Sequence, residues 1–198
     1  MLAQPGRLIV GMTGATGAIY GIRFLQVLRE TVDVETHLIM TQWAQATMIT
    51  ETHHKPDAVR ELADYVWDEH DSSAPLASGS FQAVGMIVAP CSMKSLAAIA
   101  NGISGNLIHR AADVAIKEGR KLVLVVRESP LSVIHLENML KVARVGVVVA
   151  PPVPSLYARP QSIEEMVDHT VGRLLDQFRI EHDLVKRWGE RRIHSPDL

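Results

Sequence analysis

Leu8-Ile-Val-Gly-Met-Thr-Gly-Ala-Thr-Gly-Ala18 decides how the rest of the chain is read. Leu8 to Met12 is an unbroken apolar run, the signature of a strand buried on both faces. Glycines and small polar residues follow at once, and a helical pattern then fills Ala18 to Arg29. The unit recurs. Apolar runs at Val34–Met40, Val84–Ala89, Leu122–Val126 and Val145–Ala150 alternate with helical stretches at Ala44–Glu51, Met93–Ala100, Leu107–Lys117 and Ser132–Val142. The last helix is the clearest. Ile163, Met166, Val167, Thr170, Val171, Leu174, Leu175 and Phe178 share one face at the helical period. Such alternation predicts an α/β fold with a doubly wound parallel sheet. The polar stretch Asp64–Ala74 reads as a surface excursion.

With 198 residues, 47% of them hydrophobic, the chain is expected to form one domain over 1–198. Twenty basic against 22 acidic residues leave a net charge of −2, so no global field favours nucleic acid or an anionic membrane. No apolar run approaches the roughly 20 residues of a membrane helix. Met1–Arg7 lacks a signal peptide's apolar region, and a single cysteine, Cys91, excludes an intrachain disulfide. Together these features fit a cytoplasmic protein.

In a doubly wound sheet, ligands bind beyond the carboxyl ends of the strands. The informative residues fall in the loops expected there. In the first, Gly14, Ala15, Thr16 and Gly17 precede a helix N-terminus, where glycines admit close approach and free N–H groups face an anion. Thr13 and Thr16 are expected to add hydroxyl donors. The alternative is a tight strand–helix turn that only needs small residues. A dinucleotide site calls for an acid at the end of the second strand. Here that strand ends in Thr41, and Glu35 lies at the other end. A mononucleotide is therefore favoured over NAD. Ser92-Met-Lys-Ser95 opens a second helix at the same edge, where Ser92 and Ser95 are suited to a phosphate or a flavin ring edge, or Ser92 serves as an N-cap.

Arg127-Glu128 directly follows a buried strand, as a structural ion pair or as groups facing ligand. Arg110 and Lys117, seven residues apart, share a helix face. Glu51 closes a helix at the end where an acid opposes the dipole, so a specific partner is expected. Nine histidines include no paired ligand motif, and no metal is expected. Cys91 reads as a small buried apolar residue.

Taken together, several ordered segments resemble the UbiX-type flavin prenyltransferases. They are Met12-Thr-Gly-Ala-Thr-Gly-Ala18, Pro90-Cys-Ser-Met-Lys-Ser95, Arg110-Ala-Ala-Asp-Val114, Ile134-His-Leu-Glu-Asn-Met139, Pro152-Val-Pro-Ser-Leu-Tyr157 and Arg187-Trp188. The resemblance implies a Rossmann-like or flavodoxin-like domain, assembled as a homo-oligomer, a dodecamer. Its members join the dimethylallyl group of dimethylallyl phosphate to reduced FMN, and a UbiD-type decarboxylase receives the product. By that resemblance Gly14, Ala15, Thr16, Thr41, Ser92, Met93, Lys94, Ser95 and Arg127 match FMN-binding positions. Tyr157, Arg173, Arg110 and Lys117 match the prenyl-phosphate site, Trp188 an aromatic wall beside the prenyl chain, and Glu51 and Glu128, with Thr16, the catalytic positions. Residues 179–198 form an extension expected to pack on a neighbouring subunit. Thr16 and Thr41 depart from the family's common serine. Two other readings compete: an FMN-dependent cysteine decarboxylase of the same superfamily, whose Asn position is taken here by Lys94, and a non-catalytic FMN-binding decarboxylase subunit.

Overall fold

The computed structural model describes residues 6–30 and 34–185. Six parallel strands lie in the order β3-β2-β1-β4-β5-β6. They are β1 (Gly6–Met12), β2 (Val34–Met40), β3 (Tyr65–Trp67), β4 (Gly85–Cys91), β5 (Lys121–Val126) and β6 (Val148–Val149). The helices are α1 (Ala18–Arg29), α2 (Gln42–Glu51), α3 (Pro56–Arg60), α4 (Met93–Ala100), α5 (Leu107–Lys117), α6 (Val133–Arg144) and α7 (Ile163–Gln177). β1 pairs with β2 on one side and β4 on the other, so the order of the strands reverses between β1 and β4. A crevice opens at such a reversal, beyond the carboxyl ends of the two strands.

The doubly wound α/β reading holds, and the strand alternation explains why. Leu8, Val10 and Met12 of β1 point to one face, which α1, α2 and α7 cover with Ile22, Leu25, Met48 and Val171. Ile9 faces the other side, where α4, α5 and α6 contribute Leu96, Ile108 and Val142. Both faces are dry, which is what an unbroken apolar strand requires.

Two elements differ from the sequence reading. The supposed excursion after Asp64 contains β3, whose Tyr65–Trp67 pair in parallel with His37–Ile39. The strand is three residues long and largely exposed at the sheet edge, too short for periodicity to register. The fifth apolar run shrinks to Val148–Val149, because Val145 caps α6 and Gly146 turns at φ 88°. Residues 179–185 pack on their own chain. Ile180 and Leu184 lie against the core, and His182 Nε2 is 3.1 Å from Asp176 Oδ1. The rest of the proposed extension, including Trp188, lies outside the described residues.

Candidate functional site at the carboxyl edge of the sheet

Two loops frame the crevice between β1 and β4. Thr13 ties them together. Its hydroxyl donates to the Pro90 carbonyl at 2.8 Å and accepts from the Ser92 amide at 2.8 Å. Only 2% of Thr13 is exposed, so its expected role as a ligand donor gives way to a structural one. Gly14 is required for space. A Cβ there would come within 2.5 Å of the Trp43 Cβ at the start of α2. Gly17 holds φ 103°, a conformation strained for any other residue, and turns the chain into α1.

Glu51 finds the partner its position at the end of α2 demands. Its Oε2 accepts the amides of Gly17 at 2.8 Å and Ala18 at 3.2 Å, the first N–H groups of α1. The acid that opposes one helix dipole therefore complements another. This contact places Glu51 beside Thr16. It also means that the amides expected to cradle a phosphate at α1 already hold an anion. Glu69, unremarked in the sequence, does the same for α2, accepting the Gln42 amide at 2.6 Å. Its other oxygen accepts from Asn106 at 3.3 Å, so one side chain ties α2 to the cap of α5.

Thr41 and Ser92 are both N-caps. Thr41 accepts from the Ala44 amide at 3.0 Å, and Ser92 from the Ser95 amide at 3.2 Å. Among the described residues, nothing accepts from the amides of Gly14, Thr16, Met93 or Lys94. These open donors stand on both sides of the crevice. They fit a ligand rich in acceptors, such as FMN with its phosphate and ring carbonyls. Cys91 is fully buried, and desolvation pushes its thiol up to about 12, so it supplies no thiolate. No group of side chains among the described residues could hold a metal ion.

Arg127 and Glu128 emerge exposed from the end of β5, and no ion pair engages either among the described residues. Arg127 lies close enough to Tyr20 to counter part of the rise that burial imposes on that phenol. Lys117 is not brought to this edge. α5 runs back against the strand direction, so its last residue lies near the amino ends of β4 and β5. There Lys117 pairs with Glu118 beside Gly79. Arg110 donates to the Ala77 carbonyl at 3.0 Å and to Asp113 at 2.8 Å. Arg110, in the first turn of α5, is held by those two bonds, and a clamp of Lys117 with Arg127 is not formed within one chain. β5 alone separates the two edges by about 20 Å.

Tyr157 and Arg173 each lie beside His169. The Tyr157 hydroxyl lies 3.2 Å from His169 Nε2, and the two rings meet edge to face. Arg173 follows one turn later on α7 and lines, with His169, Ala150, Pro151 and Ser155, a groove of about 150 Å³. Arg173 also donates to Asp176 Oδ2 at 2.6 Å. His169 was not singled out in the sequence. Its place one turn before Arg173 on the buried edge of α7 was the available signal. Burial, and then Arg173, hold its pKa below the ordinary value, so it is neutral at pH 7.

An α/β sheet with a donor-lined crevice at the strand reversal defines a mononucleotide-binding class. A family model described as Flavoprotein matches residues 3–175. A "Probable UbiX-like flavin prenyltransferase" of Escherichia coli O157:H7 is 54% identical over 92% of each chain. The structure of AnUbiX (PadA1) in complex with FMN and dimethylallyl pyrophosphate superposes with a TM-score of 0.93 at 53% identity, covering 96% of this chain and all of that one. A dodecameric FMN-dependent Ubix-like decarboxylase from Escherichia coli O157:H7 gives 0.91 at 54% identity, over 92% and 98% of the two chains. The chain belongs to the Flavoprotein family, in its UbiX-like branch.

Proposed function

We propose that this chain is a flavin prenyltransferase, joining a dimethylallyl group from dimethylallyl phosphate to reduced FMN. The observation that carries the reading is the pairing of two sites. One is a crevice whose open amides suit FMN; the other is a groove lined by Arg173 and His169, with the Tyr157 hydroxyl on that histidine, which suits a phosphate ester. A non-catalytic flavin carrier has no use for the second. A cysteine decarboxylase would share the fold, yet its Asn position is filled here by Lys94.

When bound, reduced FMN supplies the nucleophilic ring positions that accept the prenyl carbons. The protein's part is electrostatic. Breaking the allylic C–O bond leaves negative charge on the departing phosphate, which Arg173 stabilises with charge-assisted hydrogen bonds and Tyr157 with its hydroxyl. Positive charge on the prenyl carbons is best met by an aromatic face, the role proposed for Trp188. Arg127 reaches the same edge uncompensated and is placed to bind phosphate oxygens of either ligand. Glu51 is held at the first loop beside Thr16, and Glu128, whose Oε1 accepts the Ser129 amide at 3.0 Å, stands at the end of β5. Each can carry a proton to or from the reacting ring. Gly14, Ala15, Thr16, Thr41 and Ser92 to Ser95 line the flavin side.

Lys117, at the far end of α5, can join this site only from another copy of the chain. We therefore infer a homo-oligomer whose active sites lie between subunits. Support comes from the exposed apolar residues Val133, Ile134, Leu136 and Leu140 on α6, a face too large to leave in water. The expected assembly is a dodecamer, and the expected recipient of the product is a UbiD-type decarboxylase. The test is functional. An apo UbiD-type decarboxylase incubated with this protein, reduced FMN and dimethylallyl phosphate gains activity, and it gains none when the donor is left out. Activation without donor contradicts prenyl transfer and supports simple flavin delivery.

A further inference from the structure

Behind the crevice lies a hydrogen-bonded chain of side chains that ends in a buried histidine. Ser92 Oγ donates to Ser95 Oγ at 3.2 Å, and Ser95 Oγ lies 3.1 Å from His109 Nε2. Ser95 is 4% exposed and His109 5%. The other ring nitrogen, Nδ1, is buried and has no hydrogen-bond partner. It faces Gly105, where an added Cβ would stand 3.4 Å away. Burial, with Lys94 on α4 adding to it and Glu69 opposing, lowers the pKa of this imidazole, so it is neutral at pH 7.

Counting hydrogens decides the tautomer. Ser95 already accepts the Ser92 hydrogen and must send its own elsewhere. If Nε2 accepts it, one polar group is left unpaired, the N–H at Nδ1. If Nε2 instead donated to Ser95, with the Ser92 hydrogen already directed at Ser95 as the geometry of that bond has it, both Nδ1 and the Ser95 hydrogen would be left without partners. Unmade bonds to buried groups are costly, so the first arrangement prevails. Every hydroxyl in the chain then points inward. Ser92 Oγ also accepts the Ser95 amide at 3.2 Å, which uses one lone pair. What remains for the crevice is the other lone pair.

We propose that His109 is a positioning residue that fixes the Ser92 hydroxyl as a hydrogen-bond acceptor, so that this hydroxyl binds a donor group of the flavin and not its phosphate, while the open Met93 and Lys94 amides beside it serve acceptors. The inference rests on the flavin-binding reading above. FMN offers ring N–H and ribityl hydroxyl donors, whereas phosphate oxygens at neutral pH only accept. The sequence left Ser92 open to either. The buried histidine behind it chooses, and an unsatisfied Nδ1 is the cost the fold carries for that choice.

The experiment titrates the purified protein with FMN and with riboflavin, which lacks the phosphate. Ser92→Ala is expected to weaken both by about tenfold, the scale of one hydrogen bond. His109→Leu is expected to weaken both similarly, and to add little in the Ser92→Ala background. His109→Gln, whose amide oxygen can accept from Ser95, is expected to recover most of the loss. A purely packing role predicts no such rescue. A loss confined to FMN shows a phosphate contact and overturns the proposal, whichever His109 variants fold. Parental affinity in folded His109→Leu overturns it too. Failure of the parent protein to bind FMN at all would instead refute the flavin reading and is recognised by that control.

Discussion

Arg173→Ala separates catalysis from packing. Arg173 lies 56% exposed on α7, and its one described bond runs to Asp176 at 2.6 Å. An exposed ion pair three residues apart contributes about 0.3–0.5 kcal/mol, and alanine's helix propensity offsets part of its loss. Asp176 keeps His182 at 3.1 Å, so no buried charge is stranded. The melting temperature is therefore expected to move by about 2 °C or less. The chemical step is another matter. Removing one cation from a departing phosphate costs about 100-fold or more in rate, about 2.7 kcal/mol of transition-state stabilisation. The assay follows prenylation of reduced FMN by chromatography under anaerobic conditions, with thermal melting and FMN binding measured on the same sample. Tyr157→Phe is expected to lose less, because the ring against His169 stays and only the hydroxyl goes. A folded, FMN-loaded Arg173→Ala variant that prenylates at the parental rate would refute the assignment. Arg173 would then be a surface residue whose stem merely covers α7.

Three further outcomes are expected. Glu51→Gln keeps an oxygen for the Gly17 and Ala18 amides but loses the charge, so stability should fall by no more than about 1 kcal/mol while turnover falls far more; equal modest effects on both would make Glu51 a cap and nothing else. Stability should decline as pH falls below about 6.5. His37, His109 and His169 are all held below the ordinary histidine pKa, chiefly by burial, so the unfolded chain takes up protons first. For His37 burial prevails over the Glu35 carboxylate, which works the other way from 2.8 Å, and Trp67 Nε1, donating to Nδ1 at 3.1 Å, leaves that nitrogen no room for a second hydrogen. Replacing His37 with Gln should flatten urea midpoints measured between pH 5 and 7, and an unchanged slope counts against that origin. Finally, Ile134→Glu and Leu140→Glu on α6 should reduce the particle size seen by light scattering; an unchanged size places the subunit contacts elsewhere.

The fold was legible because its signal is physical and local. Both faces of a parallel sheet are dry, so β1, β2, β4 and β5 read as apolar runs, and the small residues at Gly14 and Gly17 mark the turn that follows. β3 was illegible because three half-exposed residues at an edge carry no such pattern. Glu51 was the one site residue betrayed by a broken rule, an acid at the wrong end of its helix, and its partner proved to be the next helix dipole. Lys117 is the opposite case. Helical spacing tells which face of α5 carries it, but not the edge of the sheet near which it lies. Glu69, His109 and His169 act through contacts between distant segments, and no spacing within the sequence announces them.

The central claim is prenyl transfer to the flavin, and mass spectrometry tests it without intermediaries. Purified protein is incubated anaerobically with reduced FMN and dimethylallyl phosphate, and the released flavin is weighed. The account predicts a flavin heavier than FMN by one dimethylallyl unit, formed only when protein and donor are both present. Recovery of unmodified FMN alone, from protein shown to be folded and to have bound both ligands, would contradict it.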